Sequence, residues 1–186
     1  LSYSDLPDGI HNITVRARDK AGNLADATVQ AFIDRSAPSP FSPLADQSTW
    51  TKNRPRITFS ATDGISGIHR YEIGCECCPY CPCSSPFTPM NMTDGIHNMT
   101  VRAYDQAGNC MEGKLKVMFD HLPPSAVGVT INLGADKTED RKVSLGITAA
   151  DAHSGVYQIC LSNDGTSYSQ WETYSGTKAW ELSAGE

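Results

Sequence analysis

The sequence predicts an all-β fold built from tandem sandwich modules, and three observations predict it. The segment DGIHNITVRARDKAGN at residues 8–23 returns at residues 94–109 as DGIHNMTVRAYDQAGN, identical at thirteen of sixteen positions and displaced by 86. Apolar residues within and after both copies alternate with a period of two, which is typical of half-buried strands. No segment keeps a 3.6-residue period for more than two turns. A repeat of this length indicates a stack of similar structural units.

Each copy of the repeat is predicted to be a β-hairpin. In the second copy Gly108 lies in the turn AGN, where a residue with φ > 0 is needed, and a return strand follows. The predicted inward positions of this hairpin are Met99, Val101, Ala103, Leu115, Val117 and Phe119. The corresponding positions of the first copy are Ile13, Val15, Ala17, Val29, Ala31 and Ile33.

A second, weaker repeat defines the module. Residues 57–73 and 145–161 share alternating apolar positions and an aligned Asp and Gly in the turn, at an offset of 88. Proline-rich segments at 33–43 and 119–125 are predicted linkers. The chain is therefore predicted to hold the last hairpin of one module (1–35), a complete module (36–121) and the first part of another (122–186). Short strands at this spacing are typical of an immunoglobulin or fibronectin-like sandwich.

These residues carry a family resemblance. The pattern DG-x-H-x-x-x-VRA-x-D-x-AGN, followed by Asp and a Ser-Ala-Pro or Pro-Pro linker, resembles the tandem Ig-like (fibronectin III-like) repeats of large bacterial and archaeal surface and adhesin-type proteins. The segment SGVYQICLSNDGTSYSQWETYSGTKAWEL resembles a related version of such repeats. The resemblance implies an extracellular or cell-surface location and a role as spacer, stalk or filament-forming segment. It implies fold more strongly than function, because one fold serves many functions.

Composition narrows the function classes. A net charge of −6 argues against a nucleic-acid partner, and no apolar run is long enough for a spanning helix. No nucleophile has a credible catalytic partner, so we expect no enzyme activity in this segment. The alternatives are an adhesive or carbohydrate-binding module that uses Trp171, Tyr174 and Trp180, or an accessory domain of a secreted enzyme or redox protein.

The expected partners are other modules of the same kind. The chain starts at Leu1 without an initiator methionine, so we expect a segment of a longer tandem array. The alternative is head-to-tail assembly, in which residues 1–35 of one copy complete residues 122–186 of another by strand addition.

Oxygen-bearing side chains are predicted to converge at the module junctions. Asp63 lies in the turn after the second strand, Asp105 and Asn109 bracket the last hairpin turn, and Asp34 precedes the linker into the same end. Ca²⁺ takes six to eight oxygen ligands, and the resembling adhesins often use it at such junctions. The next junction is predicted to use Asp120 and Asp151. The alternative is that these residues only stabilise turns through their own backbone.

A dense cysteine cluster is the most distinctive feature of the chain. Its members are Cys75, Cys77, Cys78, Cys81 and Cys83. Pro79 and Pro82 exclude a helix here and are expected to hold an extended loop. The first hypothesis is a disulfide knot, since dense cysteine favours an oxidising setting; the alternatives are a thiolate site for Zn²⁺ or Cu⁺ and a redox-active or cross-linking patch. Cys110 and Cys160 are predicted to be free or intermolecular thiols.

Two further sets of residues carry weaker predictions. Asn12, Asn91 and Asn98 lie in sequons for N-glycosylation. His11 and His97 open the strand of each hairpin, where a ring is expected to bond to upstream backbone rather than to act as a base.

Overall fold

A computed structural model describes residues 6–76 and 78–184. Every regular element in this part of the chain is a β-strand, which confirms the all-β prediction. The strands are β1 Gly9–Arg18, β2 Leu24–Ile33, β3 Leu44–Ala45, β4 Ile57–Thr58, β5 Ile68–Cys75, β6 Cys78–Cys83, β7 Gly95–Asp105, β8 Cys110–Phe119, β9 Ser125–Ile131, β10 Lys142–Ala150, β11 Gln158–Ile159, β12 Glu172–Thr173 and β13 Thr177–Glu181. Over these same residues there is no helix able to cross a bilayer.

The described residues pack as two units. Unit 1 contains residues 6–92 and 96–119, and unit 2 contains residues 93–95 and 120–184. Unit 1 holds the β1–β2 hairpin, the β3–β4 pair and a four-stranded sheet in the order β6-β5-β7-β8. Unit 2 holds a three-stranded sheet in the order β13-β10-β9 and the β11–β12 pair. Every registered strand pair is antiparallel, which is consistent with a β-sandwich.

The core of unit 1 lies where the predicted inward positions meet. Its buried members are Ile57, Phe59, Ile73, Met99, Val101 and Val117, with Phe41, Ala45, Tyr71 and Leu115 packed against them. Residues of β3 and β4 therefore face residues of β5, β7 and β8 across one apolar layer. The alternation in β7 is complete, because Met99, Val101 and Ala103 are buried between less buried neighbours.

Unit 2 has a smaller core. Val143, Leu145 and Ile147 of β10 are buried, and the half-buried Ile131, Ile159, Leu161, Tyr174, Trp180 and Leu182 pack against them. Of the aromatic side chains predicted either to pack or to bind, Tyr174 and Trp180 therefore pack, whereas Trp171 is largely exposed.

The cysteine segment is a strand and not the loop that the prolines predict. β6 pairs with β5 as the outer strand of the four-stranded sheet, with Cys83 opposite Tyr71 and Cys81 opposite Ile73. Pro79 and Pro82 are tolerated because an edge strand does not need every backbone N–H for pairing.

Candidate metal centre

The turn after β4 is organised by one carboxylate. Oδ1 of Asp63 accepts hydrogen bonds from the backbone N–H groups of Ile65, Ser66 and Gly67, at 3.1, 2.8 and 2.8 Å. These bonds, led by that from Gly67, hold the pKa of Asp63 below its usual value. Gly67 takes φ +75°, a conformation that closes the turn and that glycine adopts without strain.

The linker is tied to this turn by Asp34. Its Oδ2 accepts a hydrogen bond from Ser66 N at 3.2 Å, and its Oδ1 accepts one from Ser36 N at 3.0 Å. One side chain therefore fixes its own segment and attaches that segment to a turn 32 residues away.

The last hairpin turn of unit 1 completes the group. Asp105 accepts from Asn109 N on Oδ1 and from Asn109 Nδ2 on Oδ2, both at 2.9 Å. The same Nδ2 also donates to the backbone oxygens of Asp34 and Ser36, at 3.2 and 3.1 Å. Asn109 thus bridges the hairpin turn to the linker.

These contacts bring three carboxylates together. One oxygen each of Asp34, Asp63 and Asp105 lies within 4.8 Å of the others, and Asp105 is only 1% exposed. Across the described residues, none of the three forms an ion pair with a lysine or arginine. Three acids this close repel one another unless a cation or a proton offsets the charge. Carboxylate oxygens are the ligands that Ca²⁺ prefers.

Unit 2 contains the equivalents of two of these three acids, the turn acid and the linker acid. Oδ1 of Asp151 accepts from His153 N and Gly155 N, at 3.1 and 2.7 Å, as Asp63 does in unit 1. Oδ2 of Asp120 accepts from Ser154 N at 3.0 Å, as Asp34 does from Ser66. Hydrogen bonds from Ser154 lower the pKa of Asp120. Within the described part of unit 2, no third acid joins this pair to form a group of three.

The first hairpin, β1–β2, contains the equivalent of the third acid, Asp105, together with its asparagine partner. Asp19 accepts from Asn23 N on Oδ1 at 2.8 Å and from Asn23 Nδ2 on Oδ2 at 2.7 Å. These are the bonds that Asp105 and Asn109 make 86 residues later. We call this pair of hydrogen bonds, from the Asn backbone N–H and Nδ2 to the Asp carboxylate, the Asp–Asn clasp. Because both residues lie in the same turn, the clasp forms from local sequence alone.

The cysteine cluster contains one disulfide among its described members, between Cys75 and Cys78. Cys81 and Cys83 are not disulfide-bonded, and Sγ of Cys81 lies 3.6 Å from the backbone oxygen of Ile73. Burial, followed by the charge of Cys81, raises the pKa of the Cys83 thiol to about 11. Cys77 lies outside the described residues. No set of three described thiols comes within metal-binding reach of one another.

The remaining predicted residues lie apart from the carboxylates. Cys110 begins β8 as an exposed thiol, and Cys160 is a half-buried thiol beside the core of unit 2. The sequon residues Asn12, Asn91 and Asn98 are exposed. Nε2 of His11 lies 2.7 Å from the backbone oxygen of Pro7, which is the upstream bond predicted for a ring at this position.

Two acids that were not predicted close the base of each hairpin. Asp8 accepts from Arg35 N and Ser36 Oγ, and the hydrogen bond from the Arg35 backbone lowers the pKa of Asp8. Oδ1 of Asp94 lies 2.9 Å from His121 N and 2.7 Å from His121 Nδ1. The sequence feature that marks both acids is the dipeptide Asp-Gly at the start of each repeat. Asp-Gly is typical of a turn, so it does not indicate that the acid contacts a residue 27 positions further along the chain.

Comparison with known proteins adds little to this geometry. No protein-family model and no curated protein matches the chain. The chain is similar to a solved structure described as "tetra-tandem repeat in extending region of large adhesion protein", with a TM-score of 0.40 and 14% identity. The match covers 96% of this chain and 49% of that one, so the chain spans about half the length of the structure it resembles. Similarity at this level defines neither a fold family nor a function.

Proposed function

We propose that this chain is a structural repeat segment of an extracellular surface protein, a spacer, stalk or filament-forming element of immunoglobulin or fibronectin-like modules. The observation that supports the proposal is the repeated attachment of linker to turn. Asp34 bonds to Ser66 N, and Asp120 bonds to Ser154 N, at nearly the same spacing along the chain. A module that fixes its incoming linker transmits force and holds direction better than one on a flexible linker.

The same proposal assigns Ca²⁺ to the carboxylates of unit 1. Asp34, Asp63 and Asp105 supply three oxygens, and water supplies the rest of the coordination shell. Because most of these oxygens already accept backbone hydrogen bonds, the affinity belongs with extracellular modules, at a Kd on the order of 10⁻⁴ to 10⁻³ M. Bound Ca²⁺ would offset the repulsion among the three acids and stiffen the contact between linker and turn.

The disulfide serves the same structural purpose in the proposal. Cys75–Cys78 closes the connection between β5 and β6, and such a bond is favoured in an oxidising compartment. The exposed thiols Cys81 and Cys110 are then available for cross-links between copies.

Asp63→Asn tests the calcium assignment. Asparagine keeps an Oδ1 acceptor for the three backbone N–H groups of the turn but removes one negative charge. For the wild-type chain we expect calorimetric Ca²⁺ binding at millimolar concentration and a Ca²⁺-dependent rise in Tm, and we expect both to be lost in the variant.

The matched control is Asp151→Asn in unit 2. That aspartate makes the same turn bonds but belongs to a pair and not to a group of three. Its replacement is expected to leave the Ca²⁺ response intact. Equal responses in the wild type and in Asp63→Asn, or no Ca²⁺ binding by the wild type, would reject the assignment.

A further inference from the structure

The outer face of the four-stranded sheet in unit 1 carries a cavity of about 590 Å³. Met99 of β7 and Leu115 of β8 pack towards the core, so the residues that alternate with them lie on the opposite face of the sheet. The polar lining of the cavity consists of Glu76, Tyr80, Asn98, Thr100, Lys114 and Lys116. Its volume is in the range of small-ligand sites. None of the six side chains belongs to the carboxylate group described above, so the cavity is a separate site.

Tyr80 reaches the cavity from the outer strand β6 because Gly74 on β5 has no side chain. A Cβ added to Gly74 would lie 3.0 Å from Cδ1 of Tyr80. The ring therefore extends over β5, and the guanidinium carbon of Arg102 on β7 lies 3.6 Å from the ring centroid. This cation–π contact fixes the ring at one side of the cavity.

Three polar residues follow one another along the same face of β7. Asn98 and Arg102 lie on either side of Thr100, two positions away in each direction. Nδ2 of Asn98 donates a hydrogen bond to Oε1 of Glu76 at 3.4 Å. Nε of Arg102 donates one to Oε1 of Glu112 at 2.9 Å. Both ends of the row are thus held in place, and the cavity presents an amide, a hydroxyl and a carboxylate at fixed positions.

The lysines of β8 give the cavity its charge. Lys114 and Lys116 line it from one face of β8, and among the described ion pairs neither lysine has an acidic partner. Arg102 differs, since it is paired with Glu112. Against the two lysines the lining has one acid, Glu76. Neighbouring ammonium groups repel each other, and a bound anion offsets that repulsion. The cavity is therefore a basic site on a chain whose net charge is −6.

The first hairpin lacks this charge at the corresponding positions. An offset of 86 aligns Lys114 with Thr28 and Lys116 with Gln30. In the first hairpin Oγ1 of Thr28 lies 2.8 Å from Oγ1 of Thr14, so neutral side chains bond to each other across the strands. The lysines therefore distinguish the second hairpin from the first, and the repeated pattern does not require them.

The polar groups of the cavity define the chemistry of its ligand. Two ammonium groups bind an acid group, whereas an amide, a hydroxyl and a carboxylate suit neighbouring hydroxyl groups, which both donate and accept. A sugar unit that carries an acid group has both features. An acidic peptide has no row of hydroxyl groups, and strand addition needs an unpaired sheet edge, whereas β7 is flanked by β5 and β8 at this cavity.

We infer that this cavity binds an acidic sugar. Lys114 and Lys116 bind the carboxylate of a uronic acid unit, and Asn98, Thr100 and Glu76 bind its hydroxyl groups. The site adds a binding function to the structural repeat proposed above, and it depends neither on that proposal nor on a bound cation. Because both lysines are exposed, water screens their contacts with the acid group, and we expect binding in the millimolar range.

A tetrasaccharide of galacturonic acid is the probe, titrated into the full chain and followed by two-dimensional NMR of the backbone amide groups. The chain is produced without N-glycosylation, because Asn98 is also a sequon residue and an attached glycan would obstruct the cavity. Excess chelator is present throughout, because carboxylates of the probe bind Ca²⁺. We expect saturable shifts centred on residues 98–100 and 114–116. Binding under these conditions is independent of the calcium assignment, which is tested by its own metal titration.

The variant Lys114→Thr/Lys116→Gln removes both positive charges and introduces the residues that the first hairpin has at these positions. Both lysines are exposed, so we expect the fold to persist, with an otherwise unchanged NMR spectrum. The matched control is Lys137→Gln/Lys142→Gln, which makes the same change in net charge in unit 2. We expect the first variant to bind at least about 10-fold more weakly, through loss of two charge-assisted contacts, and the control to bind like the wild type.

Two further probes test the class of ligand. The methyl ester of the same tetrasaccharide keeps the hydroxyl groups and loses the charge, whereas a glutamate tetrapeptide keeps the charge and loses the sugar rings. We expect both to bind more weakly than the acidic sugar. The inference would be overturned by an absence of shifts at millimolar probe, by equal binding of the ester or of the peptide, or by equal weakening in the control variant.

Discussion

The two hairpins of this chain, β1–β2 and β7–β8, have nearly the same sequence in their first strand and turn, but the apolar face of the first is exposed and that of the second is buried. Val101 in the second hairpin is fully buried, whereas Val15 at the same place in the first is 65% exposed. Both hairpins nevertheless form the same turn, with Gly22 at φ +96° and Gly108 at φ +95°. Each turn also closes the same Asp–Asn clasp. Turn conformation is therefore encoded locally, and burial is decided by whether a second sheet lies opposite.

This comparison separates two contributions to stability. Each hairpin has an Asp–Asn clasp, Asp19–Asn23 in the first and Asp105–Asn109 in the second, and such local bonds add small increments to the free energy of unfolding. Burial of the inward valines is present in one hairpin only, and each fully buried valine stabilises the folded state more than one such local bond does. Substitutions at matched positions should therefore cost more in the second hairpin wherever packing is involved.

The largest expected difference is between Val101→Ala and Val15→Ala. Removing two buried methyl groups from Val101 should lower the free energy of unfolding of unit 1 by about 2.5 kcal/mol, from lost burial and the cavity left behind. The same change at the exposed Val15 should cost less than about 0.5 kcal/mol. Urea unfolding followed by circular dichroism measures the loss of stability in both variants. Equal losses of stability in the two variants would mean that Val101 is packed no better than Val15.

A second difference should appear at the pair Gly113 and Ala27. Gly113→Ala forces a methyl group against the Pro43 ring and the backbone oxygen of Phe41, which lie 2.6 and 2.9 Å from an ideal Cβ. We expect this overpacking to cost about 2 kcal/mol. Ala27→Gly, on the exposed hairpin, should cost about 0.5–1 kcal/mol through chain entropy alone. Thermal unfolding of both variants tests the expectation, and a neutral Gly113→Ala would contradict the close approach of β8 to this segment.

The strands and turns that depend on neighbouring residues could be predicted from the sequence. Period-two alternation located β7 and β8, and the repeated Asp-containing turns placed Asp34, Asp63 and Asp105 at one end of unit 1, where the structure brings them together. It succeeded because strand faces and turn chemistry depend on neighbouring residues. The immunoglobulin or fibronectin assignment remains a prediction, since an all-β chain with antiparallel sheets is compatible with several sandwiches.

Nonlocal contacts were not recoverable in the same way. The cysteine segment pairs as β6 because a strand partner, β5, offers a free edge, and no residue in the segment itself signals this. The contacts of Asp8 with Arg35 and of Asp94 with His121 span 27 residues, so the sequence showed only the turn that contains each acid. Which cysteines bond depends on strand geometry, and Cys75–Cys78 is one of many pairings that the sequence allowed.

A smaller difference is expected between Asn109→Ala and Asn23→Ala. Asn109 Nδ2 serves Asp105 and two linker carbonyls, so its loss leaves partly buried acceptors unpaired and should cost about 1.5 kcal/mol. The side-chain amide of Asn23 serves only Asp19 among the described contacts, in an exposed turn, so its loss should cost less than the loss of Asn109. Unfolding in urea distinguishes them. Equal losses of stability at the two positions would mean that the bonds from Asn109 to the linker do not stabilise unit 1.

The smallest effect concerns protonation of the exposed clasp in the first hairpin. Hydrogen bonds from Asn23, side chain first, hold the pKa of Asp19 below its usual 3.8. A carboxyl group whose pKa is lower in the folded state stabilises that state above its unfolded pKa, and the contribution is lost as pH falls through the folded value. Asn23→Ala should return the pKa of Asp19 towards 3.8, measured by NMR titration of its carboxyl carbon, with Asp26 as an internal control because its pKa is lowered by Arg16 instead. An unchanged pKa of Asp19 in Asn23→Ala would mean that the hydrogen bonds between Asn23 and Asp19 do not form in this turn in solution, and that the turn is held by its backbone conformation alone.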